Sequence, residues 1–147
     1  MDVEHVAVPA SVQRRPRALV ADDEPALLSI LGDLLRMEGY LVTEAENGEA
    51  LFVELLRSFT AEAQGGDGVA LVVSDLWMPF AGGLEVLRRL RAVRRPTPFV
   101  IVTADLDPSL RDLVDALGGC LLAKPFSVEQ LHLAICRVQA GRRLSEM

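Results

Sequence analysis

Five polar residues in this 147-residue chain stand where short apolar runs stop: Asp22 and Asp23 after RALVA, Asp75 after VALVVS, Thr103 after FVIV, and Lys124 after CLLA. Three carboxylates drawn together repel one another. In partly desolvated surroundings either one of them is pushed toward protonation or the group captures a cation. Lys124 supplies one positive charge. A hard divalent ion would supply the rest, and Mg²⁺ favours one or two carboxylates together with water and phosphate oxygens. The set therefore reads as a metal site with an open position suited to a phosphoryl group. Asp75 is the candidate nucleophile, because carboxylates form acyl phosphates and attack as anions without a general base. The metal and Lys124 would neutralise charge on the transferring oxygens, which is most of what phosphoryl transfer asks of a protein. Thr103 would donate its hydroxyl to a phosphoryl oxygen.

Taken singly, each residue has an ordinary explanation. An Asp at a strand end caps a helix or makes a turn, a Thr suits a strand, and a Lys is solvated. Their joint placement is what points to chemistry, so the elements that carry them matter. RALVA (Arg17–Ala21) is a short run that stops at acidic residues, as a buried parallel strand does. Pro25 suits a first helical turn, Leu27, Leu28, Leu31, Leu34 and Leu35 recur at helical spacing, and Gly39 ends the run. Residues 40–45 read as a second strand. Asn47 caps a helix to about Phe59, with Ala50, Leu51, Val53, Leu55 and Leu56 as its apolar positions. Residues 69–74 form the most apolar strand, hence a central one. A helix over 84–93, a strand over 99–102, a helix over 108–117, a strand over Cys120–Ala123 and a helix over 128–138 complete the pattern.

Strict alternation implies an α/β fold: a doubly wound, five-stranded parallel sheet with five helices on its two faces. Ligands in such folds bind beyond the carboxyl ends of the strands. All five candidate residues lie there. Residues 1–16 show no period and end in a basic, Pro-bounded stretch, which reads as an unstructured extension. The domain then runs over residues 17–140, and residues 141–147 form a short tail.

Half of the residues are hydrophobic, which gives a globular core, mostly aliphatic because there is one Trp and one Tyr. A net charge of −6 argues against a nucleic-acid surface. The basic clusters at 14–17, 88–95 and 142–143 read as solvated ends and a solvated helix face. Cys120 and Cys136 read as buried free thiols, with no zinc spacing. There is no signal peptide and no apolar run of the ~20 residues a bilayer requires, so the expected compartment is the cytoplasm.

The stretches LVADDEP (19–25), VVSDLWMP (72–79) with Gly83 beyond, VIVTA (100–104) and AKPF (123–126) occur in this order. Together they resemble the receiver domain of two-component response regulators over residues 17–139. The resemblance implies a flavodoxin-like receiver fold and a phosphorylation-controlled signalling function. It makes Asp75 the phospho-acceptor, assisted by Thr103 and Lys124. It makes Asp23 a direct Mg²⁺ (or Mn²⁺) ligand, Asp22 a ligand largely through water, and Asp75 and the main-chain carbonyl of Trp77 further contacts. It implies a cis bond between Lys124 and Pro125. The phosphoryl donor would be a sensor histidine kinase or a histidine phosphotransfer protein. The output would be altered docking on a downstream target protein, by a stand-alone receiver with no output module after Gln139. Such a protein is not an enzyme beyond its own phosphorylation and dephosphorylation.

Two positions depart from the family pattern. Leu121 stands where an aromatic residue follows the Thr inward, and Leu117-Gly118-Gly119-Cys120 replaces the usual small-residue stretch. Trp77 and Asp105 stand at positions that flank the phosphoryl group. An indole there would shield an acyl phosphate from water, whereas an acid could orient water. Leu121 motivates an alternative, a receiver-like interaction module that works without phosphate. A phosphohydrolase resembling the haloacid dehalogenases is a weaker alternative, since its DxD motif on the first strand is replaced here by Asp22-Asp23-Glu24-Pro25 and no cap domain is evident.

Overall fold

The computed structural model describes residues 15–105 and 107–146, with side chains to Gly141. The expected extension, residues 1–16, falls outside the described residues except for Arg15 and Pro16. In chain order the elements are β1 (Arg17–Ala21), α1 (Pro25–Met37), β2 (Leu41–Ala45), α2 (Gly48–Ala63), β3 (Val69–Asp75), α3 (Gly83–Ala92), β4 (Phe99–Thr103), α4 (Pro108–Ala116), β5 (Cys120–Ala123) and α5 (Val128–Glu146). The strands form one parallel sheet in the order β2-β1-β3-β4-β5. This is the doubly wound sheet that strict alternation demands. α5 runs past the end at Val138 expected from its apolar period, so residues 141–146 continue that helix.

Period-two alternation divides the core between the two faces. Ala18, Val20, Leu71, Val73, Val100 and Val102 point to the side covered by α1 and α5, where they meet Leu31, Leu35, Leu131 and Ile135. Leu19, Ala21, Val72, Phe99 and Ile101 point to the other side and meet Leu51, Leu55, Val86, Leu87, Leu90 and Val114 of α2, α3 and α4. Within α2 the apolar stripe is narrower than the sequence implies: Leu51 and Leu55 are buried, whereas Val53 and Leu56 are exposed.

Local signals set the helix ends. Asn47 Oδ1 accepts the Ala50 N–H, and Asp107 Oδ1 accepts the Ser109 N–H, each relieving an orphan donor of a first turn. At α5, Ser127 Oγ accepts the Gln130 N–H while Gln130 Oε1 accepts the Ser127 N–H, a reciprocal capping box. Gly39 follows α1 at φ +100°, a conformation that side chains with a Cβ resist.

The arginines of the 88–95 cluster correct the reading of that cluster as solvated. The Arg91 guanidinium is half-buried and donates to the carbonyls of Leu117 (2.6 Å), Arg95 (2.7 Å) and Thr97 (2.9 Å). It ties the end of α3 to the chain entering β4 and β5, and burial pulls its pKa below the usual range. Arg89 and Arg95 lie over the rings of Phe52 and Phe59 at 5.1 and 4.1 Å, and Arg95 also pairs with Glu62. Removing the Arg91 side chain strands three carbonyls. Arg91→Ala is therefore expected to lower the free energy of unfolding by about 2–3 kcal/mol, read from the urea midpoint. The exposed neighbour change Arg88→Ala is expected to move it by less than ~0.5 kcal/mol.

Candidate functional site

β1 and β3 are neighbours in the sheet, so Asp22 and Asp75 emerge side by side at its carboxyl edge. The chain leaves β1 for β2 on one side while β3 lies on the other, which makes this gap the switch point of the fold. Asp22 is almost fully buried, at 1% exposure. Its Oδ1 accepts the Glu24 N–H at 2.9 Å, which fixes the carboxylate at the head of α1. Asp23 follows it at the surface. One carboxylate oxygen from each of Asp22, Asp23 and Asp75 lies within 4.8 Å of the others.

Lys124 comes from β5, two strands from β3, a lateral gap of about 10 Å at the usual strand spacing. Its side chain crosses the end of β4 and places Nζ 3.3 Å from Asp75 Oδ1 and 3.6 Å from Asp22 Oδ2. The Lys124 N–H donates to the Thr103 carbonyl at 2.8 Å, and the Lys124–Pro125 bond is cis. Asp75 Oδ1 also accepts the N–H of Leu76 at 3.0 Å. Burial is the largest influence on Asp75 and raises its pKa. The Lys124 ammonium opposes this, the nearby Asp22 carboxylate adds to it, and the hydrogen bonds from Lys124 and Leu76 pull the other way.

Three carboxylates face one ammonium, so the site carries a surplus of negative charge. Asp22 Oδ2 is buried and has no hydrogen-bond partner among the described residues, and the Lys124 ammonium 3.6 Å away is shared with Asp75. A buried carboxylate oxygen without a donor is costly unless a cation meets it. An all-oxygen, carboxylate-rich donor set of this kind fits a hard divalent ion such as Mg²⁺ or Mn²⁺.

Thr103 ends β4 at 1% exposure, one residue beyond the pair formed by Asp75 and Val102. Its Oγ1 accepts the Asp105 N–H at 3.0 Å. The Asp105 carboxylate in turn accepts the Asp107 N–H at 3.0 Å, so its Oδ1 is committed to its own loop. Trp77 lies in the β3–α3 loop with 67% of its surface exposed, which removes simple core packing as its explanation. Leu121, two residues before the end of β5, is 6% exposed and packs in the core beneath α2, α3 and α4. Cys120 is buried as expected, whereas Cys136 is exposed on α5, contrary to the expectation of two buried thiols.

Some supporting residues were not picked out from the sequence. Ser74 is fully buried within β3 and donates its hydroxyl to the Asp75 carbonyl at 3.0 Å. The signal for it is a lone hydroxyl in an otherwise apolar run, directly before the aspartate. Gly83, already part of the matched stretch in the sequence, and Gly82 before it let the loop after β3 fold back on the strand end. A Cβ at Gly82 would lie 2.2 Å from the Leu76 carbonyl oxygen, and one at Gly83 would lie 2.7 Å from that of Asp75.

With this geometry in place, comparison with known proteins is informative. Residues 18–136 match the response regulator receiver domain family. The chain is 35% identical over 126 residues to a Bacillus subtilis protein named uncharacterized transcriptional regulatory protein YkoG, covering 85% of this chain and 50% of that one. It is 39% identical over 131 residues to transcriptional regulatory protein PdtaR of Mycobacterium tuberculosis, covering 86% and 57% respectively. Among solved structures, a response regulator receiver domain protein from Clostridium thermocellum superposes with a TM-score of 0.70 at 25% identity, covering 88% of this chain and 98% of that one. The chemotaxis response regulator CheY4 of Vibrio cholerae does so with a TM-score of 0.62 at 27% identity, covering 85% and 99%. The chain belongs to the response regulator receiver domain family, and it spans about half the length of the curated relatives it matches. No helix among the described residues is long and apolar enough to cross a membrane.

The raised pKa of Asp75 has a consequence for stability. Stability gained by holding this carboxyl neutral is fully present below the ordinary carboxylate range and is lost as pH rises through the raised value. At neutral pH without divalent ions, Asp75→Asn is therefore expected to raise the urea midpoint. The gain shrinks as the pH falls through the carboxylate range. Unfolding curves in chelator across that range check it, and a destabilised Asp75→Asn at neutral pH would contradict the electrostatic account.

Proposed function

We propose that this chain is a phosphorylation-controlled receiver in which Asp75 accepts a phosphoryl group from a phosphohistidine on a sensor histidine kinase or a histidine phosphotransfer protein. The supporting observation is the placement of Asp75 Oδ1 within reach of Lys124 Nζ while Asp75 also stands among the carboxylates of Asp22 and Asp23. The ionised Asp75 attacks phosphorus, the phosphorus–nitrogen bond of the donor breaks, and the imidazole leaves. Lys124 exchanges its contact with the Asp75 carboxylate for one with a phosphoryl oxygen. Thr103 Oγ1 already accepts from the Asp105 N–H, so its own hydrogen is the one to give to the phosphoryl group. Mg²⁺ or Mn²⁺, held by Asp22, Asp23, Asp75 and the Trp77 carbonyl, would offset charge on the transferring oxygens.

The output is a change in docking on a downstream protein, with Thr103 moving toward the phosphoryl group. Because Leu121 is apolar and packed inward, that movement is read through repacking rather than through an aromatic ring with a polar tip. The protein turns over no external substrate. The relatives are named for transcription, but they are about twice as long as the matched region. The net charge of −6 disfavours nucleic-acid binding by this chain itself. The reading places its work in the cytoplasm, where such donors act.

Incubation with acetyl phosphate and Mg²⁺ is expected to add one phosphoryl group by intact mass, with no addition to Asp75→Asn and none in chelator. Failure to respond both to acetyl phosphate and to a beryllofluoride mimic would overturn the reading. Trp77→Asn is expected to speed loss of the phosphoryl group several-fold, since an exposed indole at that loop restricts water. An unchanged decay rate would remove Trp77 from the mechanism.

A further inference from the structure

Glu38 caps the end of α1 that lies away from Asp22, and there it meets α5. Its Oε1 is 2.5 Å from His132 Nδ1, and His132 Nε2 is 3.5 Å from Cys136 Sγ. His132 and Cys136 are four apart on α5 and so stand one above the other on the same helix face. A carboxylate can only accept, so Nδ1 carries the hydrogen. In its neutral form the ring then presents the Nε2 lone pair to the thiol hydrogen. This is the order of nucleophile, base and orienting acid that activates a weak nucleophile.

The surroundings support the same reading. The Cys136 thiol is at the surface, the His132 side chain is 56% exposed, and the Glu38 side chain only 21%, so the orienting acid is the anchored member. Tyr40, just before β2, faces the same corner. Burial raises the pKa of its hydroxyl despite a 3.0 Å hydrogen bond from the Gln139 amide, with smaller contributions from Glu38 and Cys136. Among the described residues, the titratable groups gathered with the thiol at this corner are Glu38, Tyr40 and His132. Cys120 is the internal contrast: it is buried, burial pushes its thiol up, and its Sγ meets only the Leu121 carbonyl, at 3.9 Å.

We propose that Cys136 is a redox modification site whose thiol, with His132 as base and Glu38 as the group positioning that base, exchanges with low-molecular-weight disulfides. The thiol proton passes to His132 Nε2 and the sulfur attacks one sulfur of the reagent. The reagent S–S bond breaks as a new S–S bond to Cys136 forms. The departing sulfur, reduced to a thiolate, takes up the proton. Cys136 is oxidised to a mixed disulfide, and one equivalent of thiol is released. Exchange of this kind requires access and a thiolate, not a substrate cleft.

The test is the rate of reaction of the full chain with dithiobis(nitrobenzoate), followed by release of the coloured thiolate from about pH 5 to about pH 9. One fast equivalent is expected, absent from Cys136→Ser. His132→Gln is expected to slow it about tenfold near neutral pH and to change the shape of the pH profile. Glu38→Gln is expected to slow it less. A rate and profile unchanged in His132→Gln would overturn the proposal. Should either variant lose structure, the native wild-type chain compared with the same chain in urea decides: a native Cys136 no faster than the unfolded thiol overturns the proposal, and a faster one upholds it.

Discussion

Negative charge crowded at one edge of a sheet is the constraint on which this molecule is organised. Asp22, Asp23 and Asp75 are brought together because β1 and β3 are neighbours at the switch point, not because the carboxylates attract one another. Lys124 answers part of that charge by reaching over β4. The answer is incomplete, and among the described residues the buried Asp22 Oδ2 has no hydrogen-bond donor. A site left short of positive charge is receptive to a cation and to a group that arrives with one. The backbone around it is arranged to keep the shortfall stable, with the Leu76 N–H on Asp75, the Glu24 N–H on Asp22 and the Ser74 hydroxyl behind the strand end.

Much of this was legible in the order of residues. The apolar runs that end in Asp, Thr and Lys placed all five candidate residues on one edge, because parallel strands joined by helices all point the same way. The runs were easy to read since each is short and bounded by a charge or a glycine. Helix ends were legible to within a residue or two, except at the carboxyl ends of α2 and α5, where the apolar period fades before the helix does and the helices run on to Ala63 and Glu146. The capping box at Ser127 and Gln130 carries an explicit S-x-x-Q signal in the sequence.

What was not legible depends on geometry between distant parts of the chain. Charge runs reveal sign but not burial, so Arg91 looked like its neighbours although it binds three carbonyls. Apolar residues in excess of one helix face were assigned to the core, and Val53 and Leu56 turned out to be exposed. Cys120 and Cys136 have similar local contexts, yet one lies in a central layer and the other on an outer helix face. The i, i+4 relation of His132 and Cys136 is visible in sequence. Glu38 lies 94 positions from His132 and is brought to it only by the packing of α1 on α5.

The bonds of Arg91 all fall at the amino rim of the sheet, where α3 ends and the chain enters β4 and β5. The pairing of Arg95 with Glu62 fastens the end of α2 at the same rim. The opposite rim holds the reactive residues in loops. The domain is therefore strapped by side chains at one rim and carries its chemistry at the other. Fastening at the amino rim resists sliding of whole helices along the sheet. Movement at the opposite rim is more easily accommodated as tilts of the loop-proximal ends of α3 and α4.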